Sequence, residues 1–525
     1  MRYKGLSLLL IILICVFIFS SCGYSPKNAE MAPKLGDAQK GGNIRISAGH
    51  PDTLNPLKTQ IQSNYNMLML VFEGLFLVQN DQCVVPVLAE DYTLTDDGLE
   101  YTITLKKNIK FHDGKYLTSK DVVYTMRNIN KYCPKYNNLF SNIDIFYPMG
   151  NDKVIIKLKT PMINFVSNLT FPILSEITPL SAFEGNDVDF VPVGTGEFMF
   201  DKKISRTNIL LKRNPDWHEK TGYIDAVEVL FVDNIQTAMY SFNANVVDII
   251  TTNEYRWGDF SLTENFKTFE YENNVYEYIG FNKNNKVFSG SNVKKAIYTA
   301  IDRDYITEEI MHSHAKKAHI PVQSGSYFYP DSQKAKNPDK DIIISLLDSD
   351  GWVDVDNDDI YEKNVGQENY ELSFKFLINE DEAKAMAIAT SVAKSLAEYK
   401  IYAEIVALPS DRYETAYRNG DYDLILAKTY MDTAGFFMNM PGNLSDDMKN
   451  KLNEMCFTKD KESFREQMND LCQLFLEEYP HVPLFFETSA LFLKNNVKGT
   501  PKPSHSWVYN GITDLFVKIK DGTND

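Results

Sequence analysis

The alternation of apolar and polar positions changes character along this chain. Leu8 to Phe19 (LLLIILICVFIF) is an unbroken apolar run of 12 residues, preceded by Arg2 and Lys4. A bilayer span needs about 20 apolar residues, so the run reads as the hydrophobic centre of a secretory signal. Gly23 to Lys40 is polar and without period, as expected of a flexible tether. Strand patterns then begin. Asn43–Ser47 alternates, as does Tyr101–Leu105, and Lys153–Leu158, Asn208–Leu211 and Val227–Val232 are further strand candidates. Ser119–Asn128 is the helix of this half, opened by Asp121.

The second half follows a different pattern. Val293, Ala296, Ile297, Ala300 and Ile301 recur at helical spacing within Asn292–Ile301. Asn337-Pro338 is a helix start, with asparagine as cap and proline at the first turn. Phe374–Leu377 is a strand, Glu380–Tyr399 a long alanine-rich helix, and Ala403–Val406 a strand. A shorter helix over Asp411–Tyr417 and a strand over Tyr422–Leu426 complete the series. Strand–helix–strand–helix–strand predicts an α/β fold with a parallel sheet covered by helices. Ligands of such sheets sit beyond the carboxyl ends of the strands. The segment after Leu426 is therefore a candidate site.

The ending of the apolar run adds a covalent expectation. Ser20, Ser21, Cys22 and Gly23 resemble a bacterial lipoprotein cleavage site, with Phe19 where an aliphatic residue is usual. Cys22 would carry the lipid and become the first residue. A single chain anchors marginally and two or three firmly. Removal of 21 residues leaves 504, enough for two or three domains. A hydrophobic content of 44% suffices for packed cores. The leader takes two positive charges from a net −17 and leaves −19. Bulk electrostatics at that charge disfavours nucleic acid as a partner. Cys83, Cys133, Cys456 and Cys472 remain beyond the leader and Cys22, with no CxxC. Their even number permits disulfides, and free thiols are equally compatible.

Several short motifs point to chemistry and fall short of it. Gly194-Thr195-Gly196 lacks the third glycine and the lysine of a phosphate loop and reads as a turn. Asp354-Val355-Asp356-Asn357-Asp358 begins like a calcium loop, but Asp359 stands at the glycine position and Val365 at the glutamate position. An acidic hairpin is the expected reading. Ser291, Ser313 and Ser391 each begin an SxxK, and Lys220-Thr221-Gly222 is a KTG, yet the order is reversed from that of serine acyltransferases. His312, His314 and His319 have no nearby cysteine and read as a polar loop after a helix. No catalytic set emerges, no cofactor is called for, and the chain is expected not to be an enzyme.

A longer ordered series of segments resembles the extracellular solute-binding proteins of family 5, the oligopeptide-, dipeptide- and nickel-type receptors of ABC importers. The series is Gly41–Ile46, Asp52-Thr53-Leu54-Asn55-Pro56, Phe72-Glu73-Gly74-Leu75 and Phe111-His112-Asp113-Gly114 with Leu117-Thr118 and Asp121-Val122-Val123. Pro192–Gly196, Arg213-Asn214-Pro215-Asp216, Tyr278–Asn282, Ala300–Arg303, Gly351-Trp352, Gly420–Leu424 and Tyr479–Leu484 follow in order.

The resemblance implies a bilobal periplasmic-binding-protein-like α/β fold. One lobe would combine 42–72, 191–278 and 491–525, with 73–190 as an inserted subdomain. The other would be 279–490, and crossings near Gly280 and Ala490 would form a hinge. It further implies a peptide backbone held between a strand at Gln60, Ile61 and Gln62 and a second-lobe segment at Lys428, Thr429 and Tyr430. Where the family carries an aspartate for the peptide ammonium, this chain has Asp432, without the family's neighbouring tryptophan, tyrosine and Asp-Pro. The implied partners are a peptide and ABC permease subunits, with membrane contact only through the lipid. The protein would sit as a monomer on the outer face of the cytoplasmic membrane. The same scaffold carrying a metal chelate, sugar or other solute is the alternative, and a sensory or adhesive lipoprotein without a permease is another.

Overall fold

The computed structural model describes residues 40–185, 190–220, 222–259, 265–331, 341–365, 367–431, 442 and 444–517. The leader, Cys22, most of the tether, Asn337-Pro338, Thr221 of the KTG and Asp432 lie outside the described residues.

The strands in chain order are β1 (Asn43–Gly49), β2 (Phe76–Val78), β3 (Val84–Pro86), β4 (Ala89–Leu94), β5 (Glu100–Leu105), β6 (Ile143–Met149) and β7 (Lys153–Leu158). β8 (Phe198–Lys203), β9 (Asn208–Arg213), β10 (Ala226–Val232), β11 (Ile249–Thr252), β12 (Phe266–Phe281) and β13 (Ala315–Lys317) follow. β14 (Glu362–Val365), β15 (Glu368–Glu371), β16 (Ser373–Asn379), β17 (Tyr402–Leu408), β18 (Leu424–Tyr430) and β19 (His481–Lys494) complete the set used below. Among the described residues one 11-stranded sheet runs β17-β16-β18-β12-β19-β11-β1-β10-β9-β8, with β13 on β19. β4-β5-β7-β6 form a separate four-stranded sheet.

The alternating segments behave as their pattern requires. In β5 Tyr101, Ile103 and Leu105 are buried while Glu100, Thr102 and Thr104 are half-buried. β16 pairs in parallel with β17 and β18, as strand–helix–strand–helix–strand predicts. The Ser119–Tyr132 helix begins with a capping box, the Asp121 carboxylate accepting the Thr118 N–H at 2.8 Å.

One helix is shorter than expected. Glu380–Tyr399 becomes Ala385–Ala397. The Glu380 N–H is taken by Leu408 O at 2.9 Å, and the Asp381 carboxylate accepts from Ser410. Glu380–Lys384 is thereby committed to the end of the sheet. Two helices of the first half, Gln62–Leu68 and Ile235–Asn243, carry too few apolar periods to show in the pattern.

Two large cores divide the apolar residues. One gathers β1, β5, β7 and β10 with Leu491 and Leu493, and the other gathers Ile279, Phe281, β16 and the Ala385–Ala397 helix with Val482 and Leu484. β12 and β19 therefore contribute to both, which makes the fold bilobal.

The glycines of Pro192–Gly196 serve packing. A Cβ on Gly194 would stand 2.0 Å from Val71 O, and one on Gly196 2.7 Å from Leu70 O. The Gly196 N–H donates to Val71 O at 2.9 Å, and Thr195 Oγ1 donates to Glu73 Oε2 at 2.8 Å. The close approach excludes a phosphate-sized anion from this turn. Gly194→Ala is expected to cost roughly 2–3 kcal/mol through forced backbone displacement, read as a lowered denaturation midpoint. An unchanged midpoint would refute this reading of the turn.

Candidate functional site

β16 and β17 end side by side at Asn379 and Leu408, and β18 runs on beyond them to Tyr430. β18 extends four residues past Leu426, so the predicted site segment is strand. Along one edge Val275–Phe281 of β12 pairs with it throughout. Along the other, β16 reaches only Leu424 and Ile425. Ala427–Tyr430 thus have one edge that no other described strand covers.

Two cavities adjoin this strand. One of ≈ 720 Å³ is lined by Glu277, Asn379, Glu382, Lys384, Lys428 and Thr429, among others. The other, of ≈ 230 Å³, is lined by Gln62, Tyr65, Phe76, Asn274, Tyr430 and His505, among others. Burial pushes the Tyr65 hydroxyl up to about 12 and the His505 imidazole down to about 4, so both are neutral at physiological pH.

The first cavity has a buried charge cluster in its wall. Lys384 Nζ lies 2.6 Å from Glu277 Oε1 and also contacts Glu487 Oε1. Lys384 and Glu277 side chains are 8% and 5% exposed, so this is an interior ion network. Burial disfavours the ammonium, but the two carboxylates win and hold Lys384 above the usual lysine value. Burial likewise holds Glu277 above the usual carboxylate value, against the pull of Lys384. At the exposed rim Lys428 pairs with Glu382 at 2.7 Å.

The sequence-predicted residues are thus distributed. Gln62 and Tyr430 wall the smaller cavity, and Lys428 and Thr429 the larger. Gln60 and Ile61 line neither. The expected strand over Gln60–Gln62 is corrected: Ile61 is extended, but it caps a helix that starts at Gln62. Its carbonyl accepts from the N–H groups of Asn64 and Tyr65, both at 3.0 Å, which turns the chain into the helix. Asp52 of the Asp-Thr-Leu-Asn-Pro turn fixes the approach, accepting the Gln60 N–H at 2.8 Å and the Thr59 hydroxyl at 2.6 Å. Burial opposes its charge, but these hydrogen bonds prevail and hold its carboxyl below the usual range.

Sequence reasoning missed Asn274, Lys384, Glu277 and His505. Lys384 fell within the expected Glu380–Tyr399 helix with no sign of its partners, and Asn274 sits where the β12–β19 pairing slips, which no period announces.

The other candidates are engaged elsewhere. His314 stacks on Trp257 at 3.7 Å, His312 stacks on Tyr255, and burial lowers His319 to about 4. Asp354, Asp356, Asp358 and Glu362 have carboxylate oxygens within 4.8 Å of one another, and Lys400 pairs with Asp354. Val353 bridges Glu362 in antiparallel fashion, closing the acidic hairpin. Cys83, Cys133, Cys456 and Cys472 are free thiols.

Two lobes sharing long strands, with cavities at the strand ends, define a bilobal ligand-binding protein. The chain belongs to the bacterial extracellular solute-binding proteins, family 5, whose model matches residues 83–448. It is 24% identical over 530 residues to the oligopeptide-binding protein AppA of Bacillus subtilis, covering 95% of this chain and 96% of that one. Among solved structures it resembles MppA, a periplasmic murein tripeptide-binding protein in its unliganded open form (17% identity, 91% and 98% coverage, TM-score 0.77). It also resembles a nickel ABC transporter protein from Bacillus halodurans (20% identity, 91% and 100% coverage, TM-score 0.76).

Removing the cation of the Lys384 cluster leaves two interior carboxylates uncompensated. Lys384→Met is expected to lose about 3–5 kcal/mol at pH 8. With the cation gone, burial leaves Glu277 binding a proton more readily folded than unfolded. The deficit therefore shrinks as pH falls toward 5 and Glu277 takes up a proton. Denaturation at the two pH values measures it, and a loss that is small or independent of pH contradicts the assignment.

Proposed function

We propose that this protein is the extracytoplasmic receptor of an ABC importer, capturing a peptide between its lobes and passing it to a membrane permease. The observation that carries the proposal is the open edge of Ala427–Tyr430, whose last residue shares a cavity with Gln62. A peptide adding as a strand to that edge gains main-chain hydrogen bonds that read no side chain. Relatives named oligopeptide-binding protein and putative ABC transporter peptide-binding protein support a peptide over a metal chelate or sugar.

In this reading the lobes are 42–72 with 191–278 and 491–525, carrying 73–190 as the insertion, and 279–490. Crossings near Gly280 and Ala490 form the hinge between them, and the slips in the β12–β19 pairing between Glu272 and Tyr276 and between Glu277 and Tyr278 support a flexible ribbon there. Gln60 and Ile61 contribute backbone at the entrance, and Asp432, just past β18, pairs with the peptide ammonium. The protein acts as a monomeric binder and carries out no chemistry on its ligand. Cys22 bears the lipid that holds it to the outer face of the membrane.

Calorimetry with a free-amine peptide and its N-acetylated form tests the ligand. Asp432→Asn should weaken the free-amine peptide about 10-fold, equivalent to about 1.4 kcal/mol, and leave the acetylated one nearly unchanged. Small-angle scattering on the same mixture should show a smaller radius with the free-amine peptide bound. Equal affinity of both peptides for the unaltered protein removes the role of Asp432. Failure of every peptide to bind removes the peptide reading itself.

Cys22→Ala should abolish acylation and leave the protein unprocessed or released from membranes. A substituted protein that is still cleaved and acylated would exclude Cys22 as the anchor.

A further inference from the structure

We propose that the ligand site extends past Phe76 into another cavity, where it accommodates an aromatic or large aliphatic side chain of a longer peptide. This rests on the peptide reading above and adds a length and side-chain preference to it.

The cavity shared by Gln62 and Tyr430 is small. At ≈ 230 Å³ it falls below the roughly 300–1,000 Å³ usual for small-molecule sites. A further cavity of ≈ 620 Å³ lies beyond it. Phe76 lines both. The β2–β3 hairpin is common to both as well, giving Leu77 and Val78 to the first and Val84 and Pro86 to the second. So is the stretch 164–170, with Ser167 and Thr170 in the first and Asn164, Phe165 and Val166 in the second. Two cavities bordered by the same hairpin and the same stretch are neighbours across one wall, and the proposed path leads over Phe76 from one to the other. An extended peptide advances about 3.3 Å per residue, so several residues outrun the smaller one.

The walls of the second cavity indicate what it takes. Tyr101 packs on Phe165 with ring centroids 4.9 Å apart, and Phe76 meets Tyr92 edge-on at 5.9 Å. Phe328 and Phe464, from the other side of the chain's two-lobed division, pack edge-on at 4.8 Å. Rings prefer such offset and edge contacts, and a further ring or branched aliphatic side chain fits among them. Charged lining residues are of both signs, Glu90, Asp91 and Asp460 against Lys459 and Lys461, so charge alone selects nothing. The aromatic walls do the selecting.

The test is calorimetry on the full chain with an alanine tripeptide, an alanine octapeptide and octapeptides carrying one phenylalanine at successive positions of the distal half. At least one phenylalanine octapeptide should bind about 10-fold tighter than the alanine octapeptide. Tyr92→Ala and Phe464→Ala should each reduce that preference to about threefold or less. Phe464 is buried and its loss risks the fold, whereas Tyr92 is 36% exposed and provides the safer variant. Octapeptides of equal affinity, or a preference that survives Tyr92→Ala, would overturn the extension while leaving the peptide reading intact. A protein that binds the tripeptide and rejects every octapeptide would do the same. If neither tripeptide nor octapeptides bind, the peptide reading fails and the extension with it.

Discussion

The pairing of β12 with β19 runs from Phe266 opposite Lys494 to Gly280 opposite His481, and each lobe builds its sheet on one end of it. Toward one end β11 joins β19 and leads on to β1 and β10. Toward the other, β18 joins β12 and leads to β16 and β17. A single two-stranded ribbon thus contributes strands to both large cores. Its irregularity falls in the middle. Pairing slips between Glu272 and Tyr276, and Asn274 there takes a left-handed φ of 67°, which asparagine tolerates better than most residues. The Asn274 carbonyl accepts the Met431 N–H at 2.8 Å, and its side-chain oxygen accepts from Gln323 at 2.7 Å and Gln82 at 3.3 Å. One residue of the ribbon therefore touches the end of β18, the inserted segment and the 315–330 region, and also lines the smaller cavity.

The Lys384 cluster performs a comparable task for the larger cavity. Glu277 and Glu487 stand on the two ribbon strands, while Lys384 stands at the start of the Ala385–Ala397 helix. Buried ion pairs add little net stability over a well-packed apolar equivalent, but they penalise every arrangement in which the partners separate. Here the penalty fixes the helix start, and with it the 380–384 turn at the sheet's carboxyl end, against the ribbon. The wall of the cavity is positioned by charge where an apolar contact would allow sliding.

The chain's apolar periods made much of this legible. β5, β7 and β10 alternate or run apolar as their burial demands, and the parallel series β16–β17–β18 followed from its intervening helices. The ordered segments from Gly41 to Leu484 carried the family and hence the bilobal fold. What stayed illegible is what periodicity does not encode. The start of the Ala385–Ala397 helix moved because Leu408 O and Ser410 compete for Glu380 and Asp381, a tertiary demand on residues with good helix propensity. Gln60–Gln62 looked extended by analogy, yet the Ile61 carbonyl closes a helical turn. Lys384 and Glu277 are far apart in sequence and had no local sign of becoming a pair. The glycines of Pro192–Gly196 were visible as a turn, but their need to clear the backbone of residues 70–72 was not.

In the proposed reading, the open edge of β18 also bears on whether an empty receptor would stay open. Backbone N–H and C=O groups at Ala427–Tyr430 that face away from β12 meet no other strand among the described residues, and such groups need water or another partner. Closing the lobes over them without a ligand would strip that water, at about 1–3 kcal/mol for each group left unpaired. Two or three such groups outweigh the few kcal/mol that commonly separate open and closed conformers. A peptide backbone reverses the sign, because it supplies donors and acceptors as closure removes water. Under the proposed function the ligand would bind the closed form better than the open one, and such a difference is the sole quantity able to shift an equilibrium of this kind. On the proposed function, an edge that no other described strand covers would couple occupancy to shape without any side chain being read.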